Sequence, residues 1–290
     1  MGLVGVILPP IVCGVDDSYS DGLAALLVSL GRVGSAGTLR VITLHDALSQ
    51  SRGRMLHTVA DRLGVDFQLQ RVRAHPARET PLSGWASPAV YLRLSIPDEI
   101  DEPTVLYLDC DLIALDDLIP LLATDLAGKP LAAVRDPWNP LTGVGIALPN
   151  CRDLGVPGGR DYFNSGVMLL DLNVCRSLGL FERAWRFLSM HPGEARLWDQ
   201  DALNVAADDQ WLRLDRRWNT FAFSPLMNLP GFVREEAESV LPLAELLSDE
   251  DTAAVLHFAG PLKPWNPGYP PVVLRDRYRA LAAHAKVLAR

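Results

Sequence analysis

Asp109-Cys110-Asp111 closes the apolar run Thr104–Leu108, and carboxylates at i and i+2 of an extended chain point to the same side. Such a pair can grip one hard divalent cation, whose charge can in turn hold a diphosphate. The chain has 25 aspartates and three D-x-D matches, at 109/111, 199/201 and 249/251. About two are expected by chance, so the bare pattern decides little. Position singles out the first, because an anionic pair ending a buried strand is costly unless a cation compensates. His257, in LHFAGPLKPW, ends a late β-like run and could add an imidazole nitrogen to the same cation. Two carboxylates and an imidazole, with diphosphate oxygens completing the shell, suit Mn2+ or Mg2+, and the nitrogen tilts the choice toward Mn2+. Lys263 could reach a phosphate oxygen, and Gly260 would let the backbone approach that phosphate closely.

Two further groups stand out. In Trp198-Asp199-Gln200-Asp201 the acids suit a helix start through capping and the helix dipole, whereas Gln200 has no such reason to be there. Asn164, in YFNSGV, could hydrogen-bond a sugar hydroxyl or belong to an ordinary turn.

These residues need a scaffold. Strand-like runs cover Ile11–Val15, Leu39–Leu44, Phe67–Val72, Thr104–Leu108, Leu131–Arg135, Val167–Asp171 and Ala254–Phe258. Helical spacing covers Asp21–Arg32, Ser49–Leu63, Asn173–Met190, Gln200–Ala207 and Val273–Leu288. Ser87-Pro88 is an N-cap followed by proline, so a helix carrying Tyr91, Arg93 and Leu94 starts there. Asp136–Asp161, rich in Gly and Pro, reads as a long loop, and most of Phe221–Glu250 fits no element. The β-α-β-α-β order predicts an α/β fold: a mostly parallel central sheet with helices on both faces. Ligands of such sheets bind beyond the carboxyl ends of the strands, where Asp16-Asp17, Asp109, Asp111 and Asp136 fall.

Composition narrows the classes. Hydrophobic residues are 49% and charged residues 21%, which excludes a disordered or fibrous chain. The net charge of −8 argues against nucleic-acid binding, which needs a basic footprint. Cys13, Cys110, Cys151 and Cys175 lie far apart, without a C-x-x-C pair, which suits a reducing compartment. The N-terminus lacks a basic leader pattern, and no apolar run of about 18 residues exists, so the expectation is a cytoplasmic protein. The C-terminal helix carries Arg275, Arg277, Arg279, Lys286 and Arg290 against Asp276. That allows at most a peripheral contact with the inner face of a membrane.

Seven segments, in order, resemble glycosyltransferase family 8, which includes lipopolysaccharide galactosyl- and glucosyltransferases and glycogenin: IVCGVDDSYSDGLAALLVSL, SPAVYLRLSIPDEI, VLYLDCDLIALDDL, LAAVRDP, YFNSGVMLLDL, WDQDALN and LHFAGPLKPW. They span about residues 11–265. The resemblance implies a GT-A fold, a Rossmann-like nucleotide-sugar-binding domain over 1–290: a nucleotide half at 11–135, a sugar and acceptor half at 136–265 and a C-terminal helix at 266–290. It implies retaining transfer of galactose or glucose from a UDP-sugar to a hydroxyl of a saccharide, lipid-linked or small-molecule acceptor, with Mn2+ or else Mg2+. By position, Asp109, Asp111 and His257 are the metal ligands implied. Asp16, Asp17, Ser18 and Tyr19 fall at the uridine site, with Asp109 and Asp111 also close to the ribose and Cys110 among the substrate-binding positions; Gly260 and Lys263 fall at the diphosphate, and Arg93, Asp136, Asn164, Asp199 and Gln200 around the donor sugar. Gln200, Asp199 and Lys263 are the catalytic candidates. An amide is a poor nucleophile, which favours departure and attack on one face of the sugar over a double displacement through Asp199. Two alternatives stay open: a UDP-sugar-binding protein of weak turnover, and a haloacid-dehalogenase-type phosphatase using Asp109 and Asp111.

Overall fold

The computed structural model describes residues 8–33, 39–73, 87–229, 232 and 240–290; the leader reading of residues 1–7 lies outside them. In chain order the strands are β1 (Ile11–Gly14), β2 (Arg40–His45), β3 (Asp66–Arg71), β4 (Thr104–Leu108), β5 (Leu112–Ala114), β6 (Leu131–Arg135), β7 (Phe163–Asp171), β8 (Leu212–Arg213), β9 (Thr220–Phe221) and β10 (Val255–His257). The helices are α1 (Ser20–Leu30), α2 (Gln50–Leu63), α3 (Ile96–Glu99), α4 (Ile119–Leu122), α5 (Leu172–Ser177), α6 (Leu180–Met190), α7 (Trp198–Ala207), α8 (Leu243–Asp249) and α9 (Val273–Leu288).

Among the described residues the main sheet runs β3-β2-β1-β4-β7-β6-β8. It is parallel at β3/β2, β2/β1, β1/β4 and β6/β8. The exception is β7, antiparallel to both β4 and β6. Strand order turns back between β1 and β4, and that switch point opens a crevice at their carboxyl ends.

The central strands feed two cores, because successive side chains point to opposite faces. Ile11, Cys13, Leu106 and Leu108 join α1, α2 and α9 on one face. Val12, Val105, Tyr107, Met168 and Leu170 join α6 and α7 on the other. Helices cover both faces, as the sequence predicts.

Several expectations need correction. The run Asn173–Met190 is two helices rather than one, broken at Gly179, whose φ of 57° lies in the left-handed region. The helix after Ser87-Pro88 is first a 3-10 helix, Pro88–Ser95, capped by the Ser87 hydroxyl accepting the Ala89 N–H at 3.1 Å. β7 begins at Phe163, four residues before the apolar run suggests, and α7 begins at Trp198 rather than Gln200. A second sheet, β5-β10-β9, has no counterpart in the sequence reading.

That small sheet positions the site. The Asp109 N–H donates to the Gly166 carbonyl at 2.9 Å, continuing the β4/β7 ladder. The Phe258 N–H donates to the Asp111 carbonyl at 3.0 Å, continuing the β5/β10 ladder. The chain therefore leaves one sheet and enters the other within Asp109-Cys110-Asp111. Antiparallel pairing of His257 with Leu112 then brings the ring beside Asp111.

Candidate functional site

Asp109, Asp111 and His257 each offer a ligand atom, and these atoms lie within 4.8 Å of one another. His257 Nε2 is 3.3 Å from Asp111 Oδ1. The site depends on Gly166 opposite: a Cβ there would stand 2.5 Å from His257 Cε1 and 2.9 Å from Asp109 Oδ2.

The protonation of the imidazole follows from a chain of hydrogen bonds that starts at backbone. The Gly166 N–H can only donate, and it donates to Asn164 Oδ1 at 3.0 Å. Asn219 Nδ2 donates to the same oxygen at 2.8 Å. Asn219 Oδ1 must then accept, and it lies 2.9 Å from His257 Nδ1. Nδ1 carries the proton and Nε2 keeps its lone pair toward Asp111, the tautomer a metal ligand needs. Two carboxylates and a pre-oriented imidazole fit a divalent ion of the Mn2+ type.

Arg93, only 4% exposed, ties the carboxylates into one frame. Its guanidinium meets Asp109 Oδ1 at 2.8 Å and Asp199 Oδ2 at 2.9 Å, donates to the Ser165 carbonyl at 2.7 Å, and lies 4.6 Å over the Tyr107 ring. The Tyr107 hydroxyl also donates to Asp109 Oδ1, at 2.8 Å. Burial pushes the Asp199 carboxyl up to about 6 against the pull of Arg93. Burial acts on Asp111 too, but there the Lys263 ammonium prevails and holds the carboxyl well below its usual range. Lys263 donates to Asp111 Oδ2 and, at 3.0 Å, to the Phe258 carbonyl.

Gln200 is held on every side. Its Oε1 accepts from Asn164 Nδ2 at 2.9 Å and the Ser165 N–H at 3.0 Å, and its Nε2 donates to Asp136 Oδ2 at 3.1 Å. Trp198, at φ 49°, turns the chain into α7 so that Asp199 and Gln200 face the cavity from the first helical turn. A left-handed tryptophan is a strained choice, held by its surroundings.

A cavity of about 620 Å³ joins these groups. Its lining includes Tyr19, Arg93, Asp109, Cys110, Asp111, Asp136, Asn164, Asp199, Gln200, His257, Gly260 and Lys263, which the sequence singles out. Gly260 has a φ of 95°, so its glycine serves the turn; a Cβ there would meet nothing within 4 Å. The Cys110 thiol is turned away, donating to the Gly14 carbonyl at 3.2 Å. Asp16, Asp17 and Ser18 are not in the lining. Asp16 Oδ1 accepts from Ser18 N at 2.9 Å and Tyr19 N at 3.0 Å, and its other oxygen accepts the Ser87 hydroxyl. Asp17 accepts the Ser49 N–H at 2.7 Å, a bond that lowers its pKa. Asn219, Ser165, Tyr107 and the cavity residues Trp138 and Asn139 escaped the sequence reading. For Asn219 the available signal was its place in RWNTF beside the unassigned stretch.

The pattern of glycosyl transferase family 8 matches residues 10–267. General stress protein A of Bacillus subtilis (strain 168) is 28% identical over 263 residues, covering 88% of this chain and 87% of its own. The lipopolysaccharide 1,2-glucosyltransferase of Escherichia coli (strain K12) is 26% identical over 87% of this chain and 71% of its own length. Among solved structures, the galactosyltransferase LgtC in complex with donor and acceptor sugar analogs superposes with a TM-score of 0.77, at 24% identity and 95% coverage of both chains.

Proposed function

The chain belongs to glycosyltransferase family 8, enzymes that use nucleotide-sugar donors, and on that premise we propose that it moves galactose or glucose from a UDP-sugar to an acceptor hydroxyl with retention of configuration. This displaces the phosphatase alternative, which requires another family and another fold. The observation that carries the reading is the convergence of Asp109, Asp111 and His257 beside Lys263 at one wall of a single cavity.

Asp109, Asp111 and His257 would hold Mn2+, with Mg2+ the other candidate. Bound there, the ion supplies positive charge to the diphosphate as it leaves. Lys263 would hold a phosphate oxygen from the same side, beside the turn at Gly260. Tyr19, Gly14 and Ser87 line the nucleotide end. Asp16 acts there indirectly, by fixing Ser87 and Tyr19. Asp136, Asn164 and Arg93 would receive the sugar hydroxyls. In this reading the nucleotide half at 11–135 and the sugar half at 136–265 form one catalytic unit, with membrane contact limited to α9. Among the described residues no helix is long and apolar enough to cross a membrane.

The two candidate nucleophiles are both engaged. A carbonyl oxygen has two lone pairs, and Gln200 Oε1 already accepts two N–H donors. Asp199 is spent on Arg93. Departure and attack on one face therefore fit best: Gln200 presents a fixed dipole to the oxocarbenium-like centre, and a β-phosphate oxygen takes the acceptor's proton. A panel of UDP-sugars with Mn2+, scored for slow UDP release without acceptor, tests the reading. Release from UDP-galactose or UDP-glucose is expected. UDP binding without release from any donor would favour a binding protein, and a covalent sugar on Asp199 in mass spectra would replace the one-face route.

A further inference from the structure

One wall of the cavity is unlike the rest. Trp138, Ile146, Phe221, Leu226, Leu229 and Phe232 give it a mainly aromatic and aliphatic surface, with the Asn139 amide beside Trp138. The wall is built into the site at both ends. At one end the Phe221 ring meets the His257 ring edge-on, centroids 5.1 Å apart. At the other, Asp136 serves two structures at once. Its Oδ2 accepts from Gln200 Nε2 at 3.1 Å, while its Oδ1 accepts the N–H groups of Trp138 at 2.8 Å and Asn139 at 2.7 Å. Asn139 Oδ1 then accepts the Ile146 N–H at 2.9 Å. The Trp138 ring packs on Phe223 and Phe232 at centroid distances of 5.3 and 5.6 Å. The loop that presents Trp138 and Ile146 is thus pinned to the amide at the reaction centre. Ile146 is nevertheless 49% exposed, a large aliphatic side chain left toward the opening.

Charge narrows what fits there. Among the described lining residues the cations are Arg93 and Lys263, and both are paired with carboxylates. Asp109, Asp111, Asp136 and Asp199 line the same cavity. Among the described lining residues, an acceptor bearing a phosphate or carboxylate would meet these acids with no cation beyond the carboxylate-paired Arg93 and Lys263.

Resting on the transferase reading above, we propose that this wall is the acceptor subsite and that the acceptor is an uncharged molecule carrying an apolar aryl or alkyl group. The acceptor oxygen forms the new bond to the sugar's anomeric carbon as the bond from that carbon to the β-phosphate oxygen breaks. The acceptor proton passes to the departing diphosphate, and the products are the glycoside and UDP.

The test compares methyl, octyl and p-nitrophenyl glycosides of glucose and galactose, and the sugar 6-phosphates, as acceptors for the full-length protein with Mn2+ and the donor that hydrolyses fastest. The octyl or p-nitrophenyl glycoside should exceed its methyl counterpart at least tenfold in kcat/KM, with the phosphates below all three. Ile146→Asn and Trp138→Ala should bring that ratio toward one; Ile146→Asn, at an exposed position, covers the case in which Trp138→Ala fails to fold. Saturation-transfer NMR with UDP and Mn2+ reads binding directly, and saturation should reach the octyl or aryl protons. Equal kcat/KM for methyl and apolar glycosides, an unchanged ratio in Ile146→Asn, or absence of saturation on those protons would overturn the proposal. Acceptor-free donor hydrolysis is measured separately, so failure of the donor reading is seen on its own.

Discussion

His257 Nδ1 lies 2.9 Å from Asn219 Oδ1, an acceptor whose orientation is set through Asn164 by the backbone N–H of Gly166. A neutral amide 38 residues away in sequence thereby decides which ring nitrogen faces the aspartates. Partners of this kind typically carry about 10- to 100-fold in metal affinity. Asn219→Leu should weaken Mn2+ binding by that factor; Asn219→Asp keeps an acceptor for Nδ1 but sets an oxygen against Asn164 Oδ1, so it should fall between the leucine variant and the wild type. Mn2+ titration followed by electron paramagnetic resonance reads both, and equal affinity in the leucine variant would remove Asn219 from this role.

Gly166→Ala tests the packing of the site. The added Cβ would stand 2.5 Å from His257 Cε1, closer than such contacts allow, so either the ring or β7 must shift. The expected outcome is a folded protein with Mn2+ affinity down at least tenfold. Circular dichroism together with metal titration checks it; wild-type affinity would mean that the ring has slack.

Arg93→Leu leaves Asp199 buried without its cation. Breaking a buried pair by removing one partner costs about 3–5 kcal/mol, so the urea midpoint should fall markedly at pH 7. The loss should shrink at pH 5, where the uncompensated carboxyl takes up a proton. A destabilisation independent of pH would show that packing, rather than charge, sets the cost.

Two buried acids give the wild-type pH profile its largest falling contribution, against a smaller rise from His45, whose burial lowers its pKa from 6.5. Burial raises Asp199 to about 6 and Asp201 to about 7, from an unfolded value of 3.8. Between 3.8 and those values the folded chain holds protons that the unfolded chain has released, so stability from these groups falls as pH rises through that window. Asp201 accepts the Tyr162 hydroxyl at 2.6 Å and the Leu197 N–H at 2.8 Å, bonds that only partly offset its burial. Urea midpoints from pH 5 to 8 should therefore decline, and Asp201→Asn should flatten the upper part of the decline. A rise over that range would contradict the assignment.

What was readable in the chain, and what was not, follows from range. β1, β2, β4 and β6 are runs of four to six residues with little besides apolar or β-branched side chains at their buried positions, β3 is legible by its alternation at Phe67 and Leu69, and all five lie where the pattern places them. β10 lies inside the run Ala254–Phe258 that the sequence marks as a strand, whereas β5 has three residues and β8 and β9 two, too short to carry a period. The second sheet, which brings His257 to Asp111, was therefore invisible as a sheet. The direction of β7 is set by its neighbours rather than by its own residues. Asp109, Asp111 and His257 were legible because their chemistry is unusual at strand ends. Asn219 was not, because an amide shows its role only through partners at Asn164 and His257. Asp16 and Asp17 were legible as polar residues after a strand, yet their oxygens are occupied by the turn itself and by Ser49 and Ser87.

The central claim is that three distant side chains form one metal site serving a nucleotide diphosphate. Its most direct measurement is Mn2+ binding by isothermal titration, with and without UDP, to the wild type, Asp111→Asn and His257→Ala. One Mn2+ per chain, bound more tightly with UDP present and weakened at least a hundredfold in both variants, is the predicted result. Binding of equal strength in all three proteins, or indifferent to UDP, would contradict the account.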